Sequence, residues 1–505
     1  MKQPESVDGA TVSRPFLLAF GFIACSVLGL YIWIASIDWF AGDDFAFLFY
    51  VQQPWDWLKV FFPLEHSFWW TYRPLGMDSY FYLAFKLFGW NAQGFFAITI
   101  VTHILTAAAV FRLARQLDFE VRSAAVASLI AVSRFPSITN LTLACCFHHV
   151  AALFFLVLAL SLFLDYARNP KRVFQIAAWA VFFLGLLCNE FVLSLPFLVL
   201  LASLYVDRFS FSRSAFLRAV IRVWPFFVIA GLFSLYRYGA IASQETPSYY
   251  RFFFSPHIFG NAVTHFIILA GSRNALFSAL SILALIAIAL AWNKKTSGRI
   301  WSKLAARHAL ILPWLCGMAA VLGALPFAHV RLAMTLQIPA ALLFAAWLDA
   351  FLETNRTKYQ RVLEIAIVAL LLLSLPWSQV VARAAVPKGV WMRNFQRVVM
   401  TTLPDMPEST LISVLYGGPG QAKKAAADEF SALGYGPAVI RSRYPDKEID
   451  IRYLDMTRAA PRNIWCWGCV YFELLPSMQV EPITTEQLQR LLSSGDSERS
   501  LQSFP

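Results

Sequence analysis

Long uncharged apolar runs recur along the chain and constrain its fold more than any other feature. The first run extends from Pro15 to Ile37, longer than a helix needs to cross about 30 Å of hydrocarbon. The 505 residues are 58% hydrophobic and 14% charged, with a mean hydropathy of +0.58, a composition that soluble domains do not need. The first run is too long for a signal-peptide core and no small-residue cleavage site follows it. The sequence therefore predicts a polytopic α-helical membrane protein.

The basic residues give this membrane protein an orientation. The net charge is +12, but the Lys and Arg residues lie in short clusters between apolar runs, which excludes a nucleic-acid partner and is typical of the positive-inside pattern. Alternate loops up to residue 361 hold 20 basic residues, and the loops between them hold 8. We therefore expect the N-terminus in the cytoplasm and the loop 38–92 on the outer face.

Alternation of these loops predicts about eleven transmembrane helices. Two further apolar stretches, Leu75–Phe88 and Ile258–Ala270, break the alternation and are predicted to be helices lying at the outer interface. An odd number of spans places the segment after them outside. The predicted spans are 15–37, 93–114, 122–138, 149–166, 173–189, 191–206, 223–241, 275–292, 308–326, 332–352 and 362–382.

The C-terminal segment is of a different kind. From residue 390 onward it has 12 Lys or Arg and 13 Asp or Glu, with no long apolar run. We predict strands at Ser409–Tyr416 and Pro437–Arg441 and a helix at Gln421–Leu433. A last helix is predicted at 484–494, where Thr484 and Gln487 form a capping box at its start. The chain thus divides into a transmembrane domain, 1–387, and a small soluble α/β extracytoplasmic domain, 388–505.

Asp43 and Asp44 follow the first apolar run, in the predicted outer loop 38–92. Acidic residues at a membrane surface are costly unless they are solvated or paired, so the pair is a candidate site. One carboxylate can act as a general base while hydrogen bonds hold the other. Neighbouring helical residues point about 100° apart, which argues against joint chelation of one metal. The structural alternative, a solvated loop start with an Asp N-cap, is equally compatible with the sequence.

Other polar residues lie at predicted outer ends of helices. Arg73 follows Tyr72 and can bind a phosphate, or alternatively lipid headgroups. Glu190 lies between two apolar helices, where it is either a site residue or a hairpin tip. Arg331 can hold a phosphate leaving group or extend to the interface as a membrane-anchoring side chain.

Cysteine and histidine residues do not predict a metal centre. His149 follows His148 and the vicinal pair Cys145 and Cys146, a run without the spacing of a structural zinc site. The C-x-x-C at 466–469 is predicted to form a local disulfide on the outer face. Gly417-Gly418-Pro419-Gly420 lacks the ending of a phosphate-binding loop and is interpreted as a turn.

The order of these motifs resembles a known family of membrane enzymes. The matching stretches cover residues 15–380: Asp43-Asp44 after the first span, Tyr72-Arg73-Pro74-Leu75, His103, Asn189-Glu190 and Val330-Arg331-Leu332. They resemble the GT-C superfamily of polyprenyl-phosphate-sugar glycosyltransferases, in the branch of protein O-mannosyltransferases, lipid A aminoarabinose transferases and TMTC-type proteins. Asn189 stands where the family usually has Lys, and the tandem Asp differs from the Asp-Glu of O-mannosyltransferases.

The resemblance implies a function and a GT-C-like fold. A sugar passes, with inversion, from a polyprenyl-phosphate donor to an acceptor hydroxyl on the outer face of the cytoplasmic membrane, the acceptor being a glycan, lipid or protein. Asp43 is implied as general base, with Asp44 orienting it or the acceptor. Arg73 and Arg331 are implied at the leaving phosphate, and Glu190 at the sugar pocket. Tyr72 and His149 complete the predicted substrate-binding residues.

No cofactor is certain, and a divalent cation requirement is left open. Two alternatives remain at this point: a transporter or flippase for a lipid-linked saccharide, and a non-catalytic membrane subunit.

Overall fold

The protein is described from a computed structural model. The described residues are 14–40, 43–52, 61, 72–133, 135–209, 212–241, 257–269, 298–323, 331–354, 394, 409–416, 448–455, 469–474, 480–483 and 486–487.

Helices account for most of the described residues. Three short turns join some of them: a π-helical turn at Pro74–Ser79 and 3₁₀ turns at Ala144–Cys146 and Glu190–Ser194. The α-helices are α1 (Arg14–Ala35), α2 (Asp44–Tyr50), α3 (Tyr80–Phe88), α4 (Ala92–Gln116), α5 (Val121–Ser133), α6 (Phe135–Leu141), α7 (Phe147–Arg168), α8 (Arg172–Leu186), α9 (Leu195–Val206), α10 (Arg213–Ile241), α11 (His257–Leu269), α12 (Gly298–Gly323) and α13 (Met334–Thr354).

The helices confirm the predicted class of protein. Within the described residues, four helical stretches are long and apolar enough to cross a membrane: Ala92–Gln116, Ala144–Arg168, Arg213–Arg237 and Leu304–Leu322. The predicted spans at 275–292 and 362–382 lie outside the described residues, so the count of eleven stays a prediction. Both predicted interfacial segments are helical, at Pro74–Phe88 and His257–Leu269.

Two described helices fall within one predicted span. The stretch 122–138 is predicted as one helix, and the described residues on either side of position 134 are helical, in α5 up to Ser133 and in α6 from Phe135. Helix α6 holds part of the site described below.

Helix α7 is the centre of the bundle. It packs against α4, α8 and α9, while α13 packs against α5 and α12. Its buried residues include small ones, Ala151, Ala152 and Ala159, which let neighbouring helices approach closely. Apolar side chains such as Leu235 on α10 face outward, as expected of helices surrounded by lipid.

The described part of the C-terminal segment is a four-stranded sheet. The strands are β1 (Ser409–Tyr416), β2 (Glu448–Asp455), β3 (Cys469–Leu474) and β4 (Val480–Ile483), in the order β2-β1-β3-β4. Strand β1 pairs in parallel with β2 and β3, and β4 is antiparallel to β3. The predicted strand at 409–416 is confirmed, whereas the sequence analysis missed the other three strands. The predictions at 421–433 and 437–441, and Cys466 of the predicted disulfide, lie outside the described residues, so the domain division stays a prediction.

Polar residues gather at the two ends of the bundle. At the end opposite to the candidate site, Arg307 on α12 and Asp349 on α13 form an ion pair with an N–O distance of 2.8 Å and side chains 3% and 5% exposed. Arg307 Nε also donates to the Leu117 carbonyl at 3.1 Å, and Asp349 Oδ1 accepts from the Glu120 N–H at 2.9 Å. This cluster fixes the loop between α4 and α5 to two helices that are distant in sequence.

The ion pair gives a test of the packing. Asp349→Ala is expected to destabilise the protein by about 3–5 kcal/mol, because it leaves the Arg307 guanidinium buried without its counter-charge. Arg112→Gln, which removes a half-exposed ion pair with Asp165, is the control and is expected to cost less than about 1 kcal/mol. Thermal unfolding of both variants in lipid nanodiscs measures the difference, and equal losses would contradict this assignment.

Candidate active site

The two adjacent aspartates have different environments. Asp43 precedes α2 and its side chain is 45% exposed, whereas Asp44 begins α2 and is 0% exposed. Asp44 Oδ1 accepts a hydrogen bond of 2.7 Å from the backbone N–H of Cys145. A buried carboxylate is tolerated when donors such as this one compensate its charge. Asp44 is therefore anchored in the protein, and Asp43 is the member of the pair that a ligand can reach.

Arg331 lies beside the accessible aspartate. Its Nη1 is 3.9 Å from Asp43 Oδ2, and its side chain is 31% exposed. The backbone carbonyl of Arg331 accepts from Asn140 Nδ2 at 2.9 Å, and the same amide donates to the Pro136 carbonyl. Helix α6 thus holds the turn that carries Arg331 next to Asp43.

Arg73 and Glu190 form a two-pronged ion pair between segments that lie 117 residues apart. Arg73 Nε donates to Glu190 Oε2 at 3.0 Å, and Nη2 donates to Oε1 at 2.8 Å. Arg237, from the end of α10, lies 3.3 Å from the same Oε1. Burial opposes the charge of Glu190, but the two guanidinium groups outweigh it and hold its pKa well below the usual range. The carboxylate is therefore ionised and shared by two cations.

His148 connects this ion pair to the aspartates. Arg73 Nη1 is 2.8 Å from His148 Nε2, and His148 Nδ1 is 2.7 Å from the Cys145 carbonyl. A Cβ at Gly76, in the π-helical turn after Arg73, would lie 2.7 Å from His148 Cβ. The absence of a side chain at Gly76 therefore lets the turn approach the histidine.

His149 and Asn189 form a second contact at this end of the bundle. Asn189 Nδ2 is 3.3 Å from His149 Nδ1, while Asn189 Oδ1 accepts from the Phe191 N–H and so caps the turn that carries Glu190. Asn189 stands where the resembled family usually has Lys, and its amide serves here to position neighbouring residues.

Tyr72 lies at the edge of the same region. Its hydroxyl donates to the Phe61 carbonyl at 3.0 Å, and Tyr236 donates to the same carbonyl at 2.6 Å. The two tyrosine rings are in edge contact, with centroids 5.6 Å apart. These contacts join Phe61, in the segment between α2 and Tyr72, to the end of α10, next to Arg237.

The structure brings together six of the seven predicted site residues through direct contacts and shared partners, with Tyr72 at their edge. The sequence analysis missed Arg237, although a lone arginine at the end of an apolar helix was a usable signal. Asp78, in the π-helical turn Pro74–Ser79, was also not predicted as a site residue. His148 was considered only with the cysteines, because its contact with Arg73 depends on how α7 packs. Six further polar or aromatic residues of the predicted outer loops lie outside the described residues: Arg134, His329, Trp55, Trp57, Trp69 and Trp70.

The described residues offer no set of ligands for a metal ion. Within them, no three His, Cys, Asp or Glu side chains are placed to hold a metal. Asp44 is bound to a backbone N–H, and Glu190 is bound to two guanidinium groups. A divalent cation requirement stays a prediction of the sequence.

Asp78 is a further acidic group in this region. It lies half-buried in the π-helical turn, beside Tyr72, whose pKa it helps to raise. Burial raises the pKa of the Asp78 carboxyl from 3.8 to about 7, against a smaller opposing effect of a backbone hydrogen bond. A carboxyl of this kind changes its charge near neutral pH.

Comparison with solved structures gives several similar chains. ArnT from Cupriavidus metallidurans in the apo state is 12% identical, over 90% of this chain and 92% of that chain, with a TM-score of 0.49. ArnT from the same organism bound to undecaprenyl phosphate is 13% identical over the same shares, with a TM-score of 0.48. The Archaeoglobus fulgidus oligosaccharyltransferase in the apo form is 13% identical, with a TM-score of 0.46, and this chain covers 64% of its length. No family model and no curated protein matches the sequence. Similarity at this level assigns neither activity nor substrate, which must come from the site residues themselves.

The raised pKa of Asp78 predicts a pH-dependent stability. The folded chain holds the Asp78 proton more tightly than the unfolded chain, so this residue's contribution to stability falls as pH rises from about 4 to about 7. Asp78→Asn should remove the effect and make the variant more stable than wild type at about pH 8, with little difference at about pH 4. Thermal unfolding across this range tests the prediction, and a constant difference between the two proteins would contradict it.

Proposed function

We propose that the protein is an integral membrane glycosyltransferase, which transfers a sugar from a polyprenyl-phosphate donor to an acceptor hydroxyl. The observation that carries this proposal is the accessible Asp43 carboxylate, 3.9 Å from the accessible Arg331 guanidinium, at one end of a bundle of membrane helices. Such a pair offers a base for a hydroxyl and a cation for a phosphate, the two groups that this reaction needs.

Asp43 is the general base in this proposal. A base must lie within hydrogen-bonding reach of the acceptor hydroxyl, and Asp43 is the exposed member of the aspartate pair. The hydroxyl oxygen attacks the anomeric carbon of the sugar while its proton passes to Asp43. The bond from that carbon to the donor phosphate breaks, and the phosphate oxygen keeps the electron pair. Attack opposite to the leaving group inverts the configuration at the anomeric carbon.

Three arginines, Arg73, Arg237 and Arg331, have different roles in this proposal. The resemblance implies Arg73 at the leaving phosphate, but Arg73 is 5% exposed and its three nitrogens face Glu190 and His148. Arg331 and Arg237 are 31% and 25% exposed, so they are the cations that a phosphate reaches first. We assign them to the leaving phosphate, where positive charge stabilises the developing anion, and assign Arg73 to holding Glu190 in place.

The remaining predicted residues surround the sugar in this proposal. Glu190, His149 and Tyr72 supply hydrogen-bonding groups around the two accessible arginines. The donor's polyprenyl chain lies among membrane lipids, and the acceptor is a glycan, a lipid or a protein. In this proposal the site end of the bundle faces outward, with the N-terminus cytoplasmic and the C-terminal domain extracytoplasmic, an orientation that the positive-inside pattern supports.

The two aspartates are predicted to respond differently to removal of their charge. Asp43→Asn should keep the fold and reduce transfer by at least about a hundredfold, because it removes the general base. Asp44→Asn keeps an oxygen that accepts from the Cys145 N–H, so its loss should stay below about tenfold. The measurement is transfer of radiolabel from a panel of undecaprenyl- or dolichyl-phosphate sugars by purified protein in lipid, with release to water counted as turnover.

The outcomes of this assay separate the competing functions. Release of label by wild type but not by Asp43→Asn supports the transferase and identifies its sugar. Wild-type turnover in Asp43→Asn would contradict the assignment of the base. Donor binding without any turnover would favour a transporter or flippase of a lipid-linked saccharide. A phenotype that is lost on deletion of 388–505 but kept in Asp43→Asn would favour a non-catalytic membrane subunit.

Arg331 is predicted to act on the donor phosphate. Arg331→Gln should lower kcat/KM for the donor by about 10- to 100-fold, since a hydrogen bond to a charged group contributes about 1.5–3 kcal/mol. Arg112→Gln, at the opposite end of the bundle, is the matched control. Steady-state kinetics with varied donor measure the effect, and equal values for the two variants would exclude Arg331 from the phosphate site.

A further inference from the structure

We propose that His148 is a positioning residue, which couples the Arg73–Glu190 ion pair to the catalytic aspartate through the backbone of Cys145. This inference rests on the proposed function, in which Asp43 is the base. His148 is not among the groups that meet the substrate in that proposal. It acts instead through Cys145 and Asp44, the neighbour of Asp43.

A continuous series of short contacts connects the two halves of the site. Arg73 Nη1 is 2.8 Å from His148 Nε2, and His148 Nδ1 is 2.7 Å from the Cys145 carbonyl. The Cys145 N–H then donates to Asp44 Oδ1 at 2.7 Å. One peptide bond separates Asp44 from Asp43. The series therefore extends from Glu190, which Arg73 binds, to the base.

The partners of His148 fix its protonation. A carbonyl only accepts, so Nδ1 must carry the hydrogen that it donates to Cys145. A guanidinium only donates, so Nε2 must accept from Arg73. His148 is therefore a neutral imidazole with its proton on Nδ1, in which Nδ1 donates a hydrogen bond and Nε2 accepts one. A substitution can remove one of these hydrogen bonds and keep the other.

Burial leaves this series little freedom to move. The exposed fractions are 5% for Arg73, 6% for His148, 4% for Cys145 and 0% for Asp44. The backbone of Gly76 also lies against His148, because a Cβ there would be 2.7 Å from His148 Cβ. A small displacement of Arg73 is therefore passed to Cys145, and Asp44 follows it. Correct placement matters because a misplacement of about 1 Å can cost on the order of a hundredfold in rate.

The other end of the series is open to the substrate. Arg237 is 25% exposed and lies 3.3 Å from the Glu190 oxygen that Arg73 Nη2 also binds. A phosphate that binds Arg237 competes with Glu190 for that guanidinium. Glu190 then interacts more closely with Arg73, which holds His148. The series thus links occupation of the donor site to the position of the base.

Two conservative variants remove the two hydrogen bonds of the His148 ring one at a time. His148→Asn places an N–H donor near the position of Nδ1 and loses the acceptor for Arg73. His148→Gln places an acceptor near the position of Nε2 and loses the donor to Cys145. A positioning role predicts that kcat falls by about 10- to 100-fold in both, with the donor KM changed less than about threefold. His308→Asn, on α12, is the control for substitution of a histidine.

A double-mutant cycle distinguishes positioning from general support of the fold. If His148 acts through Asp44, the double variant His148→Gln with Asp44→Ala, which removes the acceptor of the Cys145 N–H, should lose little more kcat than the worse single variant. Additive losses would overturn the coupling. So would unchanged kcat in both single variants, or a fall in kcat that only parallels a fall in Tm.

Hydrogen exchange provides a measurement that does not depend on activity. In His148→Gln, which loses the donor to the Cys145 carbonyl, the peptide containing the Cys145 N–H should exchange faster than in wild type, while peptides covering 153–168 keep their rates. Unchanged exchange at Cys145 would overturn the coupling in an active enzyme and an inactive one alike. Absence of transfer by wild type, with faster exchange in the variant, would instead reject the proposed function and keep the coupling.

Discussion

The buried ion pair between Arg73 and Glu190 is the interaction on which the arrangement of this end of the bundle depends. A guanidinium group that is 5% exposed is tolerated only because a carboxylate and an imidazole compensate it. Those partners come from two other segments, the turn before α9 and the start of α7. Loss of Glu190 would leave a buried charge, so the three segments are held in one relative position.

Around this pair the site divides into anchored and accessible groups. Asp44 and His148 are buried and have fixed partners, whereas Asp43, Arg237 and Arg331 are partly exposed. The anchored groups are held by hydrogen bonds within the protein, which keep them in place. The accessible groups retain capacity for a ligand. In the proposed function, an acceptor hydroxyl and a donor phosphate would therefore meet groups that are preorganised by residues they never touch.

The membrane explains why polar residues occur in two layers. Helix α7 has His148 at one end and Asp165 at the other, roughly 25 Å apart at 1.5 Å per residue. The apolar region between them is covered by neighbouring helices and lipid, so charged groups are stable mainly at the two ends. The ion pair of Arg307 and Asp349 joins two helices at the end away from the site.

Hydropathy and charge alternation are local properties, so the amino-acid sequence alone predicts the class of protein, most helix positions and a shared end of the bundle for Asp43, Arg73 and Glu190. It did not show that Asp44 is anchored while Asp43 is accessible, since both are adjacent acids in one loop. It missed the pairing of Arg237 with Glu190 and three strands of the C-terminal sheet. These features arise in the folded chain, because burial and ion pairing depend on which distant segments pack together.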